Sequence, residues 1–149
     1  MGTPTAAQPT MTELLELLAA VGAAQGQDFA AAAARHGLTS MQAKVLAQLD
    51  GPLSMHALAE RLACDASNVT GIVDRLQAHG FVLREPSPTD RRVKNVVRTE
   101  RGRETILHVH QEMRATHAAL DSLDETEQAA LYALLERLRP IMEYPADDR

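Results

Sequence analysis

Apolar and polar positions along the chain repeat with a helical period almost throughout, and one short region switches to a period of two. Leu14, Leu17, Leu18 and Val21 recur at helical spacing behind Thr10-Met11-Thr12-Glu13, a capping-box pattern in which hydroxyl and carboxylate each satisfy an end-of-helix amide. An Ala-rich stretch carries this helix through Phe29 to Arg35, and Gly37 supplies its stop. Gly22 and Gly26 each weaken it by about 1 kcal/mol relative to Ala, which makes them the places where it can bend or split.

Thr39-Ser40-Met41-Gln42 repeats the capping box and opens a short helix with Val45, Leu46 and Leu49 inward, closed by Asp50-Gly51-Pro52. Ser54 caps a second short helix that buries Leu58, Ala59 and Leu62. After the turn "ACDAS" a third helix places Val69, Ile72, Val73 and Leu76 at i, i+3, i+4 and i+7, and His79-Gly80 ends it. The period then changes: "FVLRE" and "VKNVV" read as two strands joined by the turn-forming "PSPTDRR". Thr99 caps a long helix with Ile106, His110, Met113, His117 and Leu120 on one stripe. Asp124-Glu125-Thr126-Glu127 starts the last helix, with Leu131, Leu134, Leu135 and Leu138 inward. No internal repeat is evident.

Composition supports this helical reading. Aromatics make up 3% of 149 residues and Trp is absent, so the core rests on aliphatic side chains and alanines. No apolar run reaches the roughly 18 residues of a membrane span, and the first residues lack the basic region of a signal peptide, so a cytoplasmic protein is expected. Of its 15 basic residues 13 are Arg, which with the alanines suggests a GC-rich bacterial source. The single Cys64 cannot form an internal disulfide.

Charge adds the first functional clue. The net charge is −5, yet residues 84–103 hold seven basic side chains against Glu85, Asp90 and Glu100, a local balance of +4 that leaves −9 elsewhere. Over a Debye length of about 10 Å the local field governs contact with a polyanion. Arg101 and Arg103 fall in the first turn of a helix, where cations oppose the macrodipole, so polyanion attraction is their expected role.

Three short helices, the last two in helix-turn-helix relation, followed by a hairpin with a basic loop, define a winged helix-turn-helix. Such a fold can place a helix in the major groove and the loop against phosphates or the minor groove. With the apolar stripe of the third helix held to the core, its opposite face carries Ser67, Asn68, Gly71, Asp74 and Arg75. Asn suits bidentate contact to adenine, although Ser and Asn also favour helix starts for local reasons. Asp74 is expected to pair with a neighbouring arginine.

These residues also resemble the MarR (multiple antibiotic resistance) family of regulators. "LTSMQAKVLAQL", "LAERLACDASNVTGIVDRLQAHGFVLRE" and "DRRVKNVVRTERGRE" are similar to its three spaced motifs, from about Leu38 to Glu104. The resemblance implies a homodimer on double-stranded DNA, most often as a repressor of an inverted-repeat operator, and leaves room for a small-molecule effector. It puts Ser67, Asn68, Thr70, Gly71 and Arg75 in or beside the major groove. Arg92 falls at the wing tip in the minor groove with Asp90 holding it, and Arg91 and Lys94 become phosphate contacts. Arg98 departs from the family's usual Leu, and either loosens the wing strand or adds a cation toward DNA or an acidic neighbour.

The expected organisation is mainly α with a small β-hairpin wing: tails at 1–9 and 143–149, a helical dimerisation region at 10–36 and 99–142, and a DNA-binding lobe at 38–98. The apolar faces of the first and last helices exceed what that lobe can cover. Other readings start from single residues. Cys64 suggests a thiol-based redox sensor, against which its position in the turn, with only Arg61 nearby, favours a packed small residue. His110 and His117, seven apart and so about 10 Å along a helix, suit ordinary hydrogen bonding better than a metal. A winged-helix protein-interaction module is a further alternative. No nucleophile elbow, phosphate-binding glycine loop, Cys-x-x-Cys or HExxH is present, so neither an enzyme nor a cofactor is expected.

Overall fold

Hydroxyl caps set where most of the helices begin. In the computed structural model, which describes residues 8–142 and side chains as far as Arg139, Thr10 and Thr39 each form the reciprocal capping box expected of them. They open α1 (Met11–Arg35) and α2 (Ser40–Gln48), while Ser54 caps α3 (Met55–Leu62) and Thr99 caps α5 (Glu100–Gln111). The other elements are β1 (Leu53–Ser54), α4 (Ala66–Ala78), β2 (Val82–Pro86), β3 (Lys94–Arg98), α6 (Arg114–Asp121) and α7 (Glu125–Met142). Apart from Gln8 and Pro9, the tails expected at 1–9 and 143–149 lie outside the described residues.

α1 runs unbroken across Gly22 and Gly26. Gly37 ends the turn that follows it at φ +70, a left-handed conformation for which glycine carries no steric penalty. The core forms where the C-terminal half of α1 meets α2, α3, α4, the sheet and α5. Leu46, Leu49, Leu58, Val69, Val73, Leu76, Val82, Val96 and Val109 are fully buried there. Burying one such aliphatic side chain contributes about 1.5–3 kcal/mol.

The sheet has the order β1-β3-β2 and is antiparallel throughout. The expected hairpin is present, with Leu83 opposite Val97 and Glu85 opposite Asn95. β1 is an addition to it: Leu53 and Ser54 pair with Val96 and Asn95. Two residues are too short to show a strand period, so no sequence pattern marks it.

One expected element is corrected. The long helix after Thr99 is two helices, and Ile106, His110, Met113, His117 and Leu120 do not share one stripe. Met113 leaves helical geometry (φ −74, ψ 71) and starts α6. Side chains of α1 take up the polar groups at this break: Arg35 donates to both the carboxylate (2.9 Å) and the carbonyl (2.7 Å) of Glu112, and Asp28 accepts from the Thr116 amide at 2.8 Å. His36 meets the other Glu112 oxygen at 3.2 Å. The Arg35 hydrogen bond holds the Glu112 carboxyl below its usual range, and the Thr116 amide does the same for Asp28.

His110 and His117 both make contacts at this joint. The His110 ring lies 5.9 Å from Phe29, and His117 Nε2 stands 2.9 Å from the His110 carbonyl. Among the described residues no group of three or more His, Cys, Asp or Glu is placed to hold a metal ion. Burial, with a smaller push from Arg98, lowers the His110 pKa below its ordinary 6.5. A depressed histidine means the unfolded chain binds the extra proton first, so stability falls as pH drops below that value. Thermal unfolding between pH 7.5 and 5.5 is therefore expected to show a decline that His110→Gln flattens; an unchanged profile would contradict it.

Gly102, in the first turn of α5, marks a close approach. A Cβ there would collide with the Phe81 carbonyl and press on the Arg98 stem at 2.9 Å. The stem of Arg98 thus occupies the apolar position while its guanidinium reaches past it and donates to the Leu46 carbonyl at 3.0 Å. A cation at the last turn of α2 also complements the helix dipole. Neither sequence-based expectation for Arg98 describes this: it ties the wing strand to α2, with Nε buried and unbonded.

Candidate nucleic-acid interface

The apolar stripe of α4 decides which face it offers to solvent. Val69, Val73 and Leu76 are buried, and Ser67, Asn68, Thr70, Gly71, Asp74 and Arg75 are exposed together on the other side. Asp65 caps α4 by position but makes no side-chain cap bond. Thr70 donates its hydroxyl back to the Ala66 carbonyl at 2.8 Å, leaving its methyl and lone pairs outward. Arg75 stands nearer the C-terminal end, beside Gln42 and His79 at a cavity of about 40 Å³, roughly the space of one water molecule.

The wing loop is built from its own backbone. The Ser87 amide donates to the Val93 carbonyl at 2.8 Å, and the Val93 amide to the Asp90 carbonyl at 3.0 Å. Asp90 Oδ1 accepts the Arg92 backbone amide at 2.9 Å. Asp90 therefore fixes the turn that carries Arg92. Arg91 borders a shallow groove with Glu85, Pro86, Ser87 and Pro88.

The basic segment separates into two sets. Arg84 pairs with Asp74 at 2.6 Å, as expected for that carboxylate, and Arg98 is committed to α2. Arg101 and Arg103, expected to serve polyanion attraction, also have partners within the chain. The Arg101 guanidinium lies 4.7 Å over the Phe81 ring, and Arg103 pairs with Glu100 one turn away. These are a cation–π contact and an i, i+3 pair, and both arginines remain exposed. Arg91, Arg92 and Lys94 are exposed and enter no ion pair among the described residues. Of the seven basic side chains in residues 84–103, these three, all in the wing, are the ones with no ion pair, side-chain hydrogen bond or cation–π contact among the described residues.

Sequence reasoning missed Gln77, whose carboxamide accepts from Arg84 at 2.5 Å. Its exposed position on α4 was readable, but its partner on β2 required the fold. Cys64 donates to the Leu62 carbonyl at 3.3 Å and packs against the core, while Arg61 turns away to Asp50 and the Gln48 carbonyl. Arg61, the basic residue nearest to it in sequence, is thereby engaged elsewhere.

A helix with a small polar outer face beside a hairpin with a cationic tip is the arrangement of winged-helix DNA-binding regulators. The MarR family model matches residues 38–94, from the start of α2 to the first residue of β3. The chain is 30% identical over 109 residues to the HTH-type transcriptional regulator YkoM of Bacillus subtilis, covering 68% of each chain. It is 34% identical over 99 residues to a putative transcriptional regulatory protein for the hcr operon of Thauera aromatica, covering 65% of this chain and 60% of the relative's length. The transcriptional regulator Tm0710 of Thermotoga maritima superposes with a TM-score of 0.65 at 26% identity, over 87% of this chain and 94% of its own. The chain belongs to the MarR family of transcriptional regulators. Family and fold are those of regulators and not of enzymes, and among the described residues no helix is long and apolar enough to cross a membrane.

Proposed function

We propose that the chain acts in the bacterial cytoplasm as a homodimeric repressor that binds an inverted-repeat operator. The observation that carries the DNA reading is the run of exposed wing cations without an ion pair among the described residues, Arg91, Arg92 and Lys94, beside the exposed polar face of α4, where Arg75 is likewise without one. Ser67, Asn68, Thr70, Gly71 and Arg75 are assigned to the major groove, Arg92 to the flanking minor groove, and Arg91 and Lys94 to phosphates. Asp90 shapes the turn beneath them. Phosphate contacts supply affinity and salt dependence, and base edges supply sequence choice.

The dimer reading rests on uncovered apolar surface. Leu17 is 63% exposed, Tyr132 68% and Leu134 54%, with Leu14, Leu18, Val21, Leu135 and Leu138 also exposed on the same helices. Uncovered apolar helix faces of this kind need a partner. The organisation proposed is therefore a lobe at 38–98 carried on dimerising helices at 10–36 and 99–142. Two-fold symmetry sets two α4 helices one DNA turn apart, about 34 Å. An effector, in this reading, acts only by binding one spacing of the lobes more tightly than another.

Substitution separates the roles. Arg92→Ala is expected to weaken binding across sequences and lower the salt slope by about one. Asn68→Ala is expected to cost about 1–3 kcal/mol at one base position. Titration of duplex DNA at several salt concentrations checks both, and an unchanged slope for Arg92→Ala would overturn the wing assignment.

A further inference from the structure

The hairpin is anchored at its base: the Thr99 amide donates to the Phe81 carbonyl at 3.0 Å, and the Thr99 hydroxyl to the Gly80 carbonyl at 2.7 Å. Both anchors lie where α4 ends and β2 begins. From there β2 runs outward to a tip whose position relative to α4 decides which base pairs the two elements can read at once. Between base and tip, Arg84 is the one strand side chain of the wing bonded to an α4 side chain among the described residues. It reaches two of them, Gln77 Oε1 at 2.5 Å and Asp74 Oδ1 at 2.6 Å, one turn apart on the helix.

We propose that Arg84 is a positioning residue for DNA recognition, a strut that fixes the angle between the wing and the α4 helix so that wing and helix contacts are made together. This rests on the DNA-binding reading above. Asp90 lies six positions beyond Arg84, roughly 20 Å of extended chain at most, so a small pivot at the hairpin base displaces the tip by much more. A planar guanidinium reaching two acceptors resists such a pivot in a way a single ammonium contact does not. The same pair cancels Asp74, a carboxylate on the face of α4 that meets a polyanion. Arg84 itself is three-quarters shielded and fully engaged, so it is not a phosphate contact. A partly exposed pair contributes little to global stability, which separates its geometric role from a merely structural one.

The test uses the full chain and a random-sequence duplex pool, from which the wild type selects its preferred duplex. Arg84→Met is expected to bind that duplex about tenfold more weakly, with thermal unfolding and the salt slope near wild type. Arg92→Ala, costly in the wild type, is expected to cost less than half as much on a logarithmic scale when Arg84→Met is already present, because the tip is no longer aligned. Adding Asp74→Asn to Arg84→Met recovers affinity without restoring that coupling. Arg84→Met binding within twofold of wild type, with Arg92→Ala equally costly in both backgrounds, overturns the strut while leaving DNA recognition intact. A wild type that selects no sequence from the pool overturns the DNA reading itself and the strut with it.

Discussion

Placing Asp at both Leu17 and Leu135 is expected to convert the protein to a monomer and to lower operator affinity by about 10²–10⁴. Both side chains are apolar and exposed on helices outside the proposed DNA-binding lobe, so a charge there finds water in the monomer and an apolar partner face in the proposed dimer. Burying that charge without a partner costs several kcal/mol. The loss of affinity follows from effective concentration: a tethered second lobe binds as an intramolecular event, and an untethered one does not. Sedimentation checks the mass, and titration of a two-half-site duplex against a single half-site checks the affinity. A doubly substituted chain that stays dimeric would remove α1 and α7 from the interface.

Gly102→Ala is expected to destabilise the fold by about 1–3 kcal/mol, although Ala at a helical position ordinarily stabilises by about 1 kcal/mol. The added Cβ meets the Phe81 backbone, which cannot turn aside as a flexible side chain would. Phe81 also accepts the Thr99 amide, so its displacement disturbs the base of the wing. Thermal unfolding measures the effect, at about 2–4 °C per kcal/mol for a chain of this size. Gly71→Ala is the contrast, since a Cβ there has nothing within 4 Å. Equal unfolding temperatures for the two variants would contradict the collision.

How much of this was legible in the sequence depended on whether the causes were local. The capping boxes at Thr10 and Thr39, the buried stripe of α4 and the hairpin strands follow from periods and spacings within a dozen residues, and all are present. The break between α5 and α6 is not local: its stabilising groups, Arg35 and Asp28, lie 77 and 88 residues away from their partners. An unbroken apolar spacing read as one helix because nothing nearby marks Met113 as a stop.

The basic segment shows the same division. Counting charge along the chain put Arg101 and Arg103 with the cations available to a polyanion, but Phe81 and Glu100 engage them. Of the seven basic residues the three in the wing are the ones whose side chains make no ion pair, hydrogen bond or cation–π contact among the described residues, a distinction set by the fold. Asp74 was expected to find an arginine and did, while the second ligand, Gln77, had no signal of its own. Leu131, Leu134, Leu135 and Leu138 were expected inward; the last three are exposed and Leu131 is only half-buried in the single chain. Their period defined a face, and a period cannot say whether that face is covered by the same chain or by another.

Sequencing the genomic fragments retained by the purified protein tests the central claim most directly. The expected result is enrichment of an inverted repeat whose half-site centres are about 10 base pairs apart, or a multiple of that turn. Retained fragments with no sequence in common beyond the input would contradict it.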